Sequence, residues 1–403
     1  MKRQQNNKTG RCLAVYALLA SLFSITVFFS GCEKIQQVVG PKELETPEAV
    51  SAIKIGFIYS PPDPGTTRNG AELAVALANE TGGINGIPIE LLIRDDKRDA
   101  TLSTQHAETL ITAGVSAIVG PDYAPQAVAV GPIVQQHGIP MVTTYPTLPR
   151  ATEAGNFVFM TAFIDPYQAS LMADFARQTL GAMTAAILTE TDSTYSMGVS
   201  DVFAEKFTAQ GGTIAVQQFY RDGATDFGEQ LMAIAAVEPA VDVVFLPGLG
   251  PDFPLAVKQA KSVDIGIAAT FLGADGWDRP DLVELGGVAL EGSFFANHFS
   301  PGNTPDQLNE DARRFVTVYT AMFGIAPDGP AALGYDAVNI IVEAMRRATA
   351  ATPAAIRDQI EATDGYSGAT ILSHFDENRH AIKSAVINTV TDGEIRLHQV
   401  IEP

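Results

Sequence analysis

Two cysteines, one tryptophan, and 26 basic residues against 46 acidic ones in a chain of 403 remove several classes of protein at the outset. Two cysteines cannot supply a disulfide framework or a cysteine-rich metal site. A formal net charge of −20 repels nucleic acid and anionic lipid headgroups. No Gly-x-Ser-x-Gly, Gly-x4-Gly-Lys-Ser/Thr or His-Glu-x-x-His pattern occurs, and Gly248-Leu249-Gly250 lacks the third glycine of a dinucleotide loop. The six histidines are scattered without ligand spacing, and the nearest pair, His374 and His380, flanks an expected turn where surface positions are the ordinary outcome. These absences favour binding over catalysis, with no cofactor and no metal expected.

Long apolar runs are also scarce, with one exception at the N-terminus. Lys2, Arg3, Lys8 and Arg11 precede an apolar run from Cys12 to Phe29, which ends at Phe29-Ser30-Gly31-Cys32. A basic segment, an apolar segment and small residues before a cleavage point read as an export signal at 1–31. It resembles a bacterial lipoprotein signal, which implies a lipid on the Cys32 thiol. The other reading is an uncleaved anchor, since about eighteen apolar residues just span a bilayer. Either reading puts the rest of the chain outside the cytoplasm. Four of the 26 basic residues lie in this leader, leaving 22 against 46 acidic ones and a net charge near −24. Residues 32–51 are polar, carry Pro41 and Pro47, sustain no apolar period, and are expected to form a flexible tether.

From Ile53 onward, short β-branched runs alternate with alanine-rich amphipathic stretches. Strands are expected at 53–59, 89–94, 117–119, 141–143, 185–188, 213–219, 241–246 and 270–272. Helices are expected at 69–80, 101–112, 167–178, 200–210 and 226–236. Such alternation predicts βαβ units and parallel sheets. About 350 residues of it exceed one economical core, so two α/β lobes are expected. Gly120-Pro121-Asp122 and Gly250-Pro251-Asp252 each lie between a predicted strand and a helix, a weak sign of two similar halves. Each helix N-terminus suits a carboxylate ligand, unless Asp122 and Asp252 themselves cap those helices.

Several separated segments carry a family resemblance: Asn69 to Ala74 (NGAELA), Gly82 to Gly86 (GGING), Ile118 to Pro121 (IVGP), Gly138 to Val142 (GIPMV), Phe163 to Gln168 (FIDPYQ), Tyr195 to Gly198 (YSMG), Thr225 to Phe227 (TDF) and Leu272 to Asp278 (LGADGWD). In this order they resemble the periplasmic solute-binding proteins of the Leu/Ile/Val type, over nearly the whole chain after Ile53. The resemblance implies two Rossmann-like lobes with parallel sheets joined by a three-strand hinge, with lobe 1 at 52–163 plus 300–377 and lobe 2 at 164–299 plus 378–403. It further implies a small-molecule ligand, an amino acid or a close analogue, held between the lobes and delivered to an ABC permease in the membrane.

Carried over residue by residue, the resemblance implies that Ala124 (backbone N–H) and Tyr123 stand in for a usual Ser or Thr. Thr147, with Tyr145 beside it, would hold the carboxylate or ammonium group, Tyr195 would close over the ligand, and Asp275 would pair with the α-ammonium. The departures are the turn Asp122-Tyr123-Ala124-Pro125, Leu249-Gly250 in place of an aromatic pair, and a short first loop, Ser60 to Gly65, carrying Asp63. Asp63, Asp122, Asp252 and Asp275 at strand ends favour a cationic ligand, while Arg68 and the helix termini argue for an anionic group. Trp277 either stacks on a ligand or packs under the Asp275 loop. Other readings are a sensor module serving a membrane receptor, a site for an amide or aromatic acid, and, more remotely, an amidohydrolase.

Overall fold

The computed structural model describes residues 52–60 and 66–403; the expected leader, Cys32, the tether and Asp63 lie outside them. The chain first lays down β1 (Ile53–Tyr59), α1 (Thr66–Glu80), β2 (Ile89–Asp95), α2 (Ala100–Thr112), β3 (Ala117–Val119), α3 (Ala124–His137), β4 (Met141–Thr143) and β5 (Val158–Met160). These strands form one parallel sheet in the order β2-β1-β3-β4-β5. A second sheet is built from α4 (Asp165–Asp174), β6 (Thr184–Glu190), α5 (Thr194–Ala209), β7 (Thr213–Tyr220), α6 (Gly228–Ala235), β8 (Val243–Phe245), α7 (Asp252–Ala260), β9 (Thr270–Gly273), α8 (Leu282–Gly286) and β10 (Phe294–Asn297).

The chain then returns to the first sheet with α9 (Glu310–Phe323), α10 (Gly329–Arg347) and α11 (Pro353–Glu361), and adds a small antiparallel sheet, β11 (Asp364–Ser367), β12 (Ile371–Phe375) and β13 (Ala381–Lys383). Tyr366, Leu372, Phe375 and Ala381 of this sheet share a core with Ile55, Phe57 and Val119 of the first. Finally β14 (Ala385–Thr391) and β15 (Glu394–Ile401) join the second sheet antiparallel, giving the order β15-β14-β10-β9-β8-β6-β7. The expected boundary at 377 falls in the turn between β12 and β13, and strand pairing changes sheets at Ser384. Ala381–Lys383 therefore pair within the small sheet.

The helices cover the sheets because their apolar residues fall on one side. Residues of α1 and α10 bury one face of the first sheet, while those of α2 and α3 bury the other. The closest approach is between α1 and α10. A Cβ on Gly70 would stand 1.9 Å from the Ala331 carbonyl oxygen, so only glycine allows this backbone contact.

Both strand orders contain a switch point, between β1 and β3 in the first sheet and between β6 and β8 in the second. Open α/β sheets form a crevice there, outside the carboxyl ends of the strands. The left-handed Gly120 (φ 84°) makes the sharp exit from β3 that its sequence position predicts, whereas Gly248 at the equivalent turn is not left-handed and packs against Phe253. Hydrogen bonds join the lobes across the crevice: Tyr145 Oη donates to the Asp275 carbonyl (2.7 Å), and Gly329 N–H donates to Asp278 Oδ2 (2.6 Å).

Candidate ligand-binding cleft

The loops after β1, β3 and β4 face those after β6, β8 and β9 across a cavity of about 570 Å³, within the usual size range for small-molecule sites. Tyr123, Ala124, Tyr145, Thr147, Tyr195 and Asp275, the six residues carried over by resemblance, all line it. Ala124 is the first residue of α3, with Tyr123 as the N-cap and no side-chain cap. The amides of that first turn have no helical partner and favour negative charge. Asp122 therefore does not cap α3. Its carboxylate turns back to accept from Ser60 N–H (2.9 Å) and Thr144 Oγ1 (2.5 Å), and burial lifts its pKa to about 7 despite those bonds. Asp252 behaves differently: it accepts from Phe253 N–H at the start of α7 (3.0 Å).

Asp275 is 2 % exposed and held from four directions. Tyr195 Oη donates to its Oδ1 (2.6 Å) and accepts from Gly276 N–H (3.1 Å). His298 Nε2 lies 3.1 Å from its Oδ2. Its own N–H donates to Gln168 Oε1 (2.9 Å), and its carbonyl accepts from Tyr145. Burial pushes the His298 pKa down to about 4 although Asp275 pulls the other way, so the ring is neutral and Nε2–H is the donor. His298 also stacks on Phe163, with ring centroids 3.7 Å apart. Phe163 lies between β5 and α4 and His298 between β10 and α9, so two of the three chain crossings between the sheets meet behind Asp275.

Thr147 is buried beside Asp165, whose pKa burial raises to about 7. The Thr147 carbonyl accepts from Asp165 N–H (2.8 Å). At the other end, the Arg98 guanidinium bonds the Tyr123 hydroxyl and lies 4.4 Å from its ring centroid. Burial lifts the Tyr123 pKa to about 12.

Several expectations need correction. Arg68 is paired with Glu72 (2.8 Å) and is not in the cavity wall; Arg98 and Arg279 are the cations there. His380 is buried, within reach of Thr152 Oγ1 (3.0 Å) and the Pro149 carbonyl (3.1 Å), and only His374 is exposed. For Trp277 the packing role is the one that holds: it is fully buried, donates to the Leu246 carbonyl (2.8 Å) and stacks on Phe253. Sequence reasoning missed Gln168 and His298 as supports of Asp275. Gln168 stood inside a quoted segment, whereas His298 carried no local signal.

Comparison with known proteins agrees with this geometry. The family model described as periplasmic binding protein matches residues 53–394. The Leu/Ile/Val-binding protein BraC3 of Rhizobium johnstonii is 29% identical over 240 residues, 59% of this chain and 64% of that protein, so the match spans less than two thirds of that relative. The leucine-, isoleucine-, valine-, threonine- and alanine-binding protein of Pseudomonas aeruginosa is 25% identical over 299 residues, covering 73% of this chain and 77% of that one. Among solved structures, the leucine binding protein LivK of Thermotoga maritima is 33% identical with a TM-score of 0.78, covering 87% of this chain and 99% of that one. The isoleucine complex of LivJ from Streptococcus pneumoniae is 26% identical with a TM-score of 0.79, over 87% of this chain and all of that one. The chain belongs to the periplasmic binding protein family, in its Leu/Ile/Val type.

Proposed function

We propose that this protein is the solute-binding component of an ABC importer, taking a small amino acid or close analogue between its lobes and presenting it to a membrane permease. The observation that carries this reading is the arrangement around Asp275, a buried carboxylate oriented by Tyr195, His298 and Gln168 and facing the unpaired first turn of α3 across the cavity. An ionised carboxylate can accept about four hydrogen bonds, so Asp275 retains capacity for an α-ammonium. Ala124 N–H and Thr147 would take the α-carboxylate, with Tyr123 and Tyr145 walling the ligand. Tyr145 and Tyr195 both engage Asp275, one from each lobe, so a ligand seated there favours the closed form by its differential affinity. The role is binding without chemistry, and the location is extracytoplasmic.

A thermal-shift screen of the full-length chain in mild detergent against the twenty amino acids tests the reading. A ligand at a hundred times its Kd adds about 2.7 kcal/mol and raises Tm by several degrees. Asp275→Ala should abolish the shift at the same ligand concentration. A shift only with solutes lacking an α-ammonium would refute the amino-acid assignment. Membrane attachment through a lipid on Cys32 belongs to the same proposal; retention of Cys32→Ser in the membrane fraction would contradict it.

A further inference from the structure

Nine carboxylates and two guanidinium groups line the cavity. Arg279 is already paired with Asp281 (2.8 Å), and Arg98 lies over Tyr123 at the other end. Four acidic groups are arranged in a row. Strands β9, β8, β6 and β7 are consecutive neighbours, and at or beyond their carboxyl ends stand Asp275, Asp252 (at the start of α7), Glu190 and Asp222 in that order; of these, Asp275, Glu190 and Asp222 line the cavity. Asp275 is the site of the α-ammonium in the reading above. Glu190, at the end of β6, is 6 % exposed, lines the cavity, and its carboxylate has no hydrogen-bond or ion-pair partner among the described residues.

Two buried groups beside Glu190 are also unpartnered. The Tyr220 hydroxyl and Asp252 Oδ2 have no hydrogen-bond partner among the described residues, although the two residues are each 4 % exposed. The Tyr220 hydroxyl lies in the field of Asp252, Glu190 and Asp222, so it faces this cluster. Buried polar atoms are nearly always paired, and buried carboxylates repel each other unless a cation stands between them. Burial together with Asp252, Asp222 and Asp192 raises the Glu190 pKa to about 7, which marks the same unmet demand for positive charge.

We propose that the end of the cavity lined by Glu190, Asp192 and Asp222, with Tyr220 and Asp252 buried beside it, is a second cation subsite, and that the ligand is an amino acid whose side chain ends in an ammonium or guanidinium group. This rests on the amino-acid reading above and narrows it. Adjacent strands lie about 4.8 Å apart, so the ends of β9 and β6, two strands apart, are roughly 10 Å from each other. Asp275 and Glu190 thus stand at separate positions along the cavity, one for each cationic group of such a ligand. Leu249 and Gly250 form part of the wall of the same cavity.

Isothermal titration of the full-length chain in mild detergent with L-lysine, L-ornithine and L-norleucine decides the matter. Norleucine is lysine without its terminal amine. The expected result is binding of lysine or ornithine at least tenfold tighter than norleucine, with that ratio falling close to one in Glu190→Gln. Equal affinities for lysine and norleucine in the unaltered protein overturn the second subsite and leave the amino-acid reading standing. Absence of binding by all three, together with no response to any other amino acid in the thermal screen, overturns that reading itself.

Discussion

His298 shows how a residue without local signal becomes decisive. Its neutral ring donates to Asp275 from one side while Phe163 stacks on the other, so it fixes the carboxylate and ties it to two hinge segments. Replacing it by phenylalanine keeps an aromatic ring on Phe163 but leaves Asp275 Oδ2 without its donor. A hydrogen bond to a charged group contributes about 1.5–3 kcal/mol. His298→Phe should therefore weaken amino-acid binding about tenfold or more, read by isothermal titration, with circular dichroism unchanged. Affinity equal to that of the unaltered protein would mean that Tyr195 and Gln168 orient Asp275 unaided. Tyr195 and Asp275 were legible as cavity-lining residues because they lie in segments whose order marks the family, and Thr147 because the resemblance carried over the loop after β4. Gln168 and Glu190 were not, since their roles depend on what stands opposite them.

At the scale of elements, β1, β3 and β4 begin and end where the β-branched runs predict, because a strand buried on both faces is a short, continuous apolar run bounded by turn residues. The final third was less legible. The polar β11 (DGYS) carries one buried side chain, and β14 and β15 run antiparallel at a sheet edge, so neither follows the strand-helix alternation on which the reading relied. Helix α10, with thirteen buried residues, went unassigned for the same reason. Its contact with α1 yields a direct test. Gly70→Ala would drive a methyl into the Ala331 carbonyl and force the two helices apart, at a cost of about 1–3 kcal/mol for overpacking. The urea midpoint should fall accordingly. Ligand affinity should fall with it, because α1 begins with Thr66 and Thr67 in the cavity wall. An unchanged midpoint would show that α1 shifts without cost.

For the whole molecule, the buried acids of the cavity set the pH response. Asp122, Asp165 and Glu190 have folded pKa values of about 7, against roughly 4 in an unfolded chain. Between those values the native state holds more protons than the unfolded one. Their contribution is therefore fully present below pH 4 and lost as pH rises through 7. His298 acts in the opposite sense: its folded value of about 4 lies below the unfolded 6.5 or so, and its contribution is lost as pH falls through that interval. Three carboxylates outweigh one imidazole, so the ligand-free protein should melt several degrees higher at pH 5 than at pH 7.5 in differential scanning calorimetry. A flat or reversed dependence would show that the cavity acids remain ionised and hydrated. A bound cationic amino acid should flatten the dependence by holding these groups ionised.

What the sequence by itself determined is the class of molecule: two α/β lobes, because alternating β-branched and amphipathic segments bury their apolar faces in only a few ways, and a family, because the marker segments recur in order. The tertiary structure alone decided which polar groups meet. Asp275, His298 and Gln168 are distant in the chain, and so are Glu190, Tyr220 and Asp252. Their charge states and free valences arise from burial and from neighbours brought together by strand order, which no local pattern of residues encodes.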